Sequence, residues 1–144
     1  MKKLNNKGFS LVELIIVIAI MAILAAALAP QLIKYIEKSR ISSDKTSASS
    51  VKTAFDTAIA NDDAYDDALT GSKVTCTDAS DLAFDGTDTT LTSEMAKTLS
   101  DLKAPKSKKF KGQSYYVSWT VSDDGDGVGS IDFGIGTTSS ENIK

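Results

Sequence analysis

The chain has 144 residues, with 16 Lys and Arg against 19 Asp and Glu, a formal net charge of -3, 42% hydrophobic residues and no histidine. That length allows one modest domain beside an extended segment, and a negative balance argues against a general nucleic-acid binder. Without histidine, no Ser/His/Asp triad, Cys/His pair or His/Cys zinc set can be built, so enzymatic chemistry is not expected.

The chain opens on a short basic stretch, Lys2, Lys3 and Lys7, before Gly8 and Phe9. From Leu14 to Ala29 no residue is charged or strongly polar, and counting back to Phe9 gives 21 residues. A bilayer core of about 30 Å needs roughly 20 residues of helix at about 1.5 Å each, so residues 9–29 are long enough to span a membrane. Three lysines before the span favour a cytoplasmic amino terminus and an outward-facing remainder. Glu13 is the anomaly. A carboxylate at membrane depth costs on the order of 3 kcal/mol or more unless it is neutralised or paired, and a simple anchor has no use for it.

These residues carry a resemblance. Lys7, Gly8, Phe9, Ser10, Leu11, Val12 and Glu13, followed by the apolar run and Pro30, resemble the class III signal and amino-terminal helix of type IV prepilins. The resemblance covers residues 2–40, about a quarter of the chain. It implies a leader of residues 1–8, cleavage of the Gly8–Phe9 bond by a prepilin peptidase that is also an N-methyltransferase, and methylation of the new terminus at Phe9. It further implies assembly of a homopolymer by a membrane platform and ATPases, with Phe9, Glu13 and Pro30 serving assembly. Cleavage ahead of the apolar run leaves that run attached, unlike removal of a secretory signal. Many family members close their carboxy-terminal region with a disulfide, whereas Cys76 is the sole cysteine here, which is more similar to major pilins of Gram-positive bacteria. In the chain itself Cys76 reads as a small buried hydrophobe in a strand.

Pro30 lacks the N–H for an i→i−4 bond and is expected to kink or weaken the helix locally. The helical pattern resumes at Leu32, Ile33 and Ile36. Ala48, Val51, Phe55, Ala58 and Ile59 then fall on one face, and no Gly or Pro intervenes between Pro30 and Gly71. The reading is a long helix over 9–61 whose 48–59 face packs on a small domain spanning 62–144. Asp62, Asp63, Asp66 and Asp67 read as a solvated helix end or loop.

Beyond Gly71, residues 73–77 predict a strand, and 82–84 is a candidate for the same sheet. Thr92 is the expected N-cap of a helix running to Leu102, with Leu91, Met95, Leu99 and Leu102 as its apolar stripe and Glu94 in its first turn. Lys103, Lys106, Lys108, Lys109 and Lys111 predict a solvated basic loop; acidic residues of a neighbouring copy are one candidate contact. Residues 114–121 alternate as a strand with Tyr115, Val117, Trp119 and Val121 on one face, and 128–135 repeats the device. Ser122–Gly127 is the turn between them. Trp119 and Phe55 are the expected centre of the core, and residues 137–144 have little to bury.

Asp123, Asp124 and Asp126 are weak metal candidates, because the full oxygen pattern of an EF-hand loop is missing. No cofactor is expected. The fold class expected is α+β, a long amino-terminal helix packed against a small antiparallel sheet, and the function expected is that of a structural subunit of a type IV pilus, serving adhesion, motility or biofilm. Two alternatives stay open at this point: a pseudopilin or minor pilin of a secretion or DNA-uptake machine, and a monomeric single-pass surface protein.

Overall fold

A computed structural model describes residues 8–122, 124, 125 and 127–136. Along the chain come α1 (Leu11–Ala58), α2 (Asp62–Ala68), β1 (Lys73–Cys76), β2 (Leu82–Phe84), α3 (Thr90–Thr98), β3 (Tyr115–Val121) and β4 (Val128–Ile135). Two compact units divide between Glu37 and Lys38, with α1 contributing to both. The α+β class is therefore as the sequence implies: a long apolar amino-terminal helix and a small antiparallel sheet.

In the first unit, helix is unbroken through Pro30. Pro30 cannot donate to the Ala26 carbonyl, but good helix formers surround it, Ala25 to Ala27 and Ala29 among them, and they hold the backbone helical around the missing bond.

In the second unit, four strands form one antiparallel sheet in the order β2-β1-β3-β4. β3 is central because it offers two apolar faces. Tyr115, Val117 and Trp119 are buried, and so is Tyr116 on the opposite face, where a solvated side chain could have been expected. The Tyr116 ring lies against Gly134, its cross-strand partner, so closely that a Cβ there would meet the ring at 2.9 Å. The core joins this sheet to the Ala48, Val51, Ala54, Phe55 and Ala58 stripe of α1. At its centre Phe55 stacks on Trp119 with ring centroids 4.4 Å apart, and the Trp119 indole N–H donates to the Ala68 carbonyl at 2.9 Å. Phe84 extends the stack at 6.0 Å from Trp119. Gly71 and Gly86 both sit against the Phe84 ring, where any side chain would collide with it.

Several local expectations give way to tertiary contacts. α1 stops at Ala58, because Asn61 turns out of the helix to cap α2, its side chain accepting the Ala64 N–H at 3.2 Å. α3 begins at Thr90 and ends at Thr98, so Thr92 is not its cap and Leu102 not its end. Thr92 instead donates its hydroxyl to the Thr89 carbonyl at 2.9 Å, and Glu94 lies past the first turn, paired with Lys97 at 2.5 Å. The free Leu91 N–H of α3 is taken by Asp67 at 3.0 Å. Asp67 is accordingly buried, unlike the rest of its acidic run.

Candidate processing and assembly segment

Gly8, Phe9 and Ser10 precede the first turn of α1, and Phe9 is 92% exposed. Ser10 and Glu13 then start the helix jointly. The Ser10 N–H donates to Glu13 Oε2 at 2.8 Å, the Leu14 N–H donates to the Ser10 carbonyl at 3.2 Å, and the Val12 N–H approaches the Ser10 hydroxyl at 3.4 Å. This is a capping box built on Ser10-Leu11-Val12-Glu13, in which the N3 carboxylate satisfies the N–H of the cap. Glu13 therefore has a partner inside its own chain, which the reading of Glu13 as an isolated charge missed. The signal was legible, since Ser-x-x-Glu ahead of an apolar run is the sequence mark of such a start. The same box leaves the Gly8–Phe9 bond outside the helix.

From Leu11 to Ile36 the large apolar side chains are exposed, with none of the most hydrophobic window buried within the chain. The helix is long and apolar enough to cross a membrane. It also exceeds what a soluble chain leaves bare, because exposed apolar patches of such extent mark a surface that something else covers. Glu13 and Pro30 lie on this helix, one in the first turn and the other at the end of the apolar run. Residues 1–7, with Lys2, Lys3 and Lys7, lie outside the described residues.

Elsewhere, chemistry is restrained rather than prepared. Burial, with smaller contributions from Asp81 and Asp78, pushes the Cys76 thiol up to about 12, so that it is un-ionised near neutral pH. Burial also raises Tyr115 and Tyr116. Of the weak metal candidates, Asp124 is exposed, while Asp123 and Asp126 lie outside the described residues, as do residues 137–144. Among the described residues no group of three or more His, Cys, Asp or Glu side chains is placed to hold a metal ion. The turn itself closes by the Ser122 N–H to the Gly127 carbonyl and the Gly125 N–H to the Ser122 carbonyl, each at 2.8 Å, with Gly125 at φ 71°.

Residues 3–29 match the model of the prokaryotic N-terminal methylation motif. The chain is 42% identical over 63 residues to the type IV major pilin protein PilA of Myxococcus xanthus, a match covering 44% of this chain and 29% of that protein. It is 39% identical over 71 residues to the type IV major fimbrial protein FimA of Dichelobacter nodosus, covering 49% and 44% respectively. In both cases the matched region is less than half of the relative's length. Similarity to prepilin peptidase-dependent protein A of Clostridium perfringens extends much further, at 31% identity over 116 residues, 80% of this chain and 79% of the relative. No solved structure matches. With a methylation motif lying over the exposed apolar helix, and with a relative aligned over 80% of the chain, the chain belongs to the type IV pilin family.

Proposed function

We propose that the chain is the repeating structural subunit of a type IV pilus. Its leader, residues 1–8, is removed at Gly8–Phe9 by a prepilin peptidase, and Phe9 becomes the methylated terminus. Before assembly, residues 9–29 span the cytoplasmic membrane with the amino terminus on the cytoplasmic side. On assembly, directed by a membrane platform and its ATPases, these helices leave lipid and pack against one another in the filament, and the domain that follows forms its outer surface.

The observation that supports this most is an apolar helix that its own chain leaves bare. Bilayer and filament centre both satisfy such a surface, since each removes it from water. A heterologous contact repeated by rotation and translation extends indefinitely, whereas a closed dimer does not. The names of the Myxococcus and Dichelobacter relatives, major pilin and major fimbrial protein, support the role of principal subunit. No catalytic step is assigned to the chain; its part in adhesion, motility or biofilm is that of the material of the filament.

Mass spectrometry of filaments sheared from the cell surface tests this reading. The expected result is a dominant chain that begins at methylated Phe9. An intact Met1 in membrane extracts, with the chain missing from sheared material, would instead identify a monomeric anchored protein.

A further inference from the structure

The second unit carries two patches of opposite charge that the fold holds in fixed positions. The first is the loop from Leu102 to Lys111, which contains no acidic residue. Leu102, Pro105, Ser107 and Phe110 are buried along it, while Lys103, Lys106, Lys109 and Lys111 are exposed. It is also fastened. Buried Asp44 of α1 accepts the Lys106 N–H at 2.9 Å and the Ser107 N–H at 2.8 Å, and the Tyr115 hydroxyl donates to the Lys103 carbonyl at 3.0 Å. A merely solvated run has no need of such anchoring, and a loop already ordered loses less entropy on docking.

The second patch is acidic. Asp63, Asp66 and Asp88 are exposed and, with buried Asp67 and neighbouring threonines, line a cleft of about 480 Å³. No Lys or Arg occurs between Lys52 and Lys73. The two patches lie at different levels of α1. The basic loop is tied at Asp44, and the acidic helix follows Ala58, 14 residues further on, which is about 21 Å of helix. The points of α1 at which the two patches are held are thus farther apart than the Debye length of about 8 Å at physiological salt. A second copy displaced along the α1 axis brings them together, and a contact between unlike patches is the heterologous kind that propagates.

We propose that the Lys103–Lys111 loop of one subunit docks on the Asp63, Asp66 and Asp88 cleft of the next, head to tail along α1. This inference rests on the filament reading above and adds to it the contact that sets register between the outer domains. Burial of apolar helices is non-directional, so a charge contact of this kind selects one axial position among several.

Charge reversal tests it. Lys106→Glu with Lys109→Glu, and Asp63→Lys with Asp66→Lys, alter exposed side chains only, and circular dichroism checks that each variant folds. Sheared filament is measured against total chain beginning at Phe9. Each pair alone is expected to lower filament yield about tenfold, and all four together to restore most of it. Unchanged yield from either pair, or loss without recovery in the fourfold variant, overturns the contact while leaving the filament reading intact. If the parent chain forms no filaments, the filament reading itself fails. Should a reversal disturb folding, Lys106→Cys and Asp63→Cys in one chain provide a second measurement: an oxidised ladder of linked subunits within filaments is expected, and a lack of any ladder overturns the proposal.

Discussion

Glu13 carries two demands on one carboxylate. In the single chain it accepts the Ser10 N–H at 2.8 Å and so helps to start α1. In the proposed filament it is also the natural partner of the amino group that cleavage creates at Phe9 of another subunit, an amine still basic after methylation. Two desolvated charges that meet contribute little net energy, but one left alone is costly, so the pair acts on register more than on stability. Glu13→Gln retains a hydrogen-bond acceptor for Ser10 but loses the charge. It is expected to permit cleavage at Gly8–Phe9 and to reduce filament yield about tenfold, the factor that corresponds to about 1.4 kcal/mol; N-terminal mass and sheared-filament yield report the two effects separately. Cys76 shows the opposite case, a reactive residue type made inert by its surroundings. With its pKa pushed up to about 12, the native thiol is expected to label roughly 100-fold or more slowly at pH 8 than in the denatured chain. A thiol-specific chromophore followed over time measures this.

Among the elements, two buried carboxylates hold segments that local sequence does not fix. Asp44 sits on the buried face of α1, one turn before Ala48, and binds the backbone of the 102–111 loop. Asp44→Ala leaves two N–H groups without an acceptor, and loss of about 1–3 kcal/mol is expected in denaturant titration, together with greater protease sensitivity near Lys106. Asp67 does for α3 what Thr92 was expected to do, accepting an N–H of the first turn from outside the helix. Replacing Asp67 by Ala removes that cap and is expected to cost about 1 kcal/mol, visible in hydrogen exchange at Leu91 and its neighbours before the sheet is affected. Both carboxylates come from residues distant in sequence from the segment they hold.

At the scale of the whole chain, the response to pH follows from which groups are paired and which are simply buried. Burial raises Asp85, but the Ser72 N–H and hydroxyl and the Lys73 N–H, at 2.8–2.9 Å, outweigh it and bring the carboxyl below its ordinary value. The Ser80 hydroxyl and N–H lower Asp78 in the same direction. A lowered folded pKa means stability that is fully present above the unfolded value of about 3.9 and lost as pH falls through the folded one. Cys76, Tyr115 and Tyr116 are raised, so the unfolded chain releases its protons first and stability declines as pH rises above about 9. Melting temperature is therefore expected to be flat between about pH 5 and pH 9 and to fall on both sides. Constant melting temperature down to pH 2 would contradict the hydrogen bonds assigned to Asp85.

Much of this was open to reading along the chain. The apolar run from Phe9 to Ala29, the 48–58 stripe, and the alternation of Tyr115, Val117 and Trp119 are periodic signals, and each depends only on neighbours a few residues away. Ser10 with Glu13 was equally local, although it needed the helix start to be placed first. The sequence alone therefore carried the apolar amino-terminal helix, the α+β class and Phe55 and Trp119 as the centre of the core. Tertiary structure alone decided that Asn61 leaves α1 to cap α2, that Asp67 rather than Thr92 starts α3, and that Asp44 orders the lysine loop. The reason is physical: a capping carboxylate is chosen by whichever unpaired N–H the folded chain brings within 3 Å, and proximity across 24 or 62 residues leaves no period in the sequence.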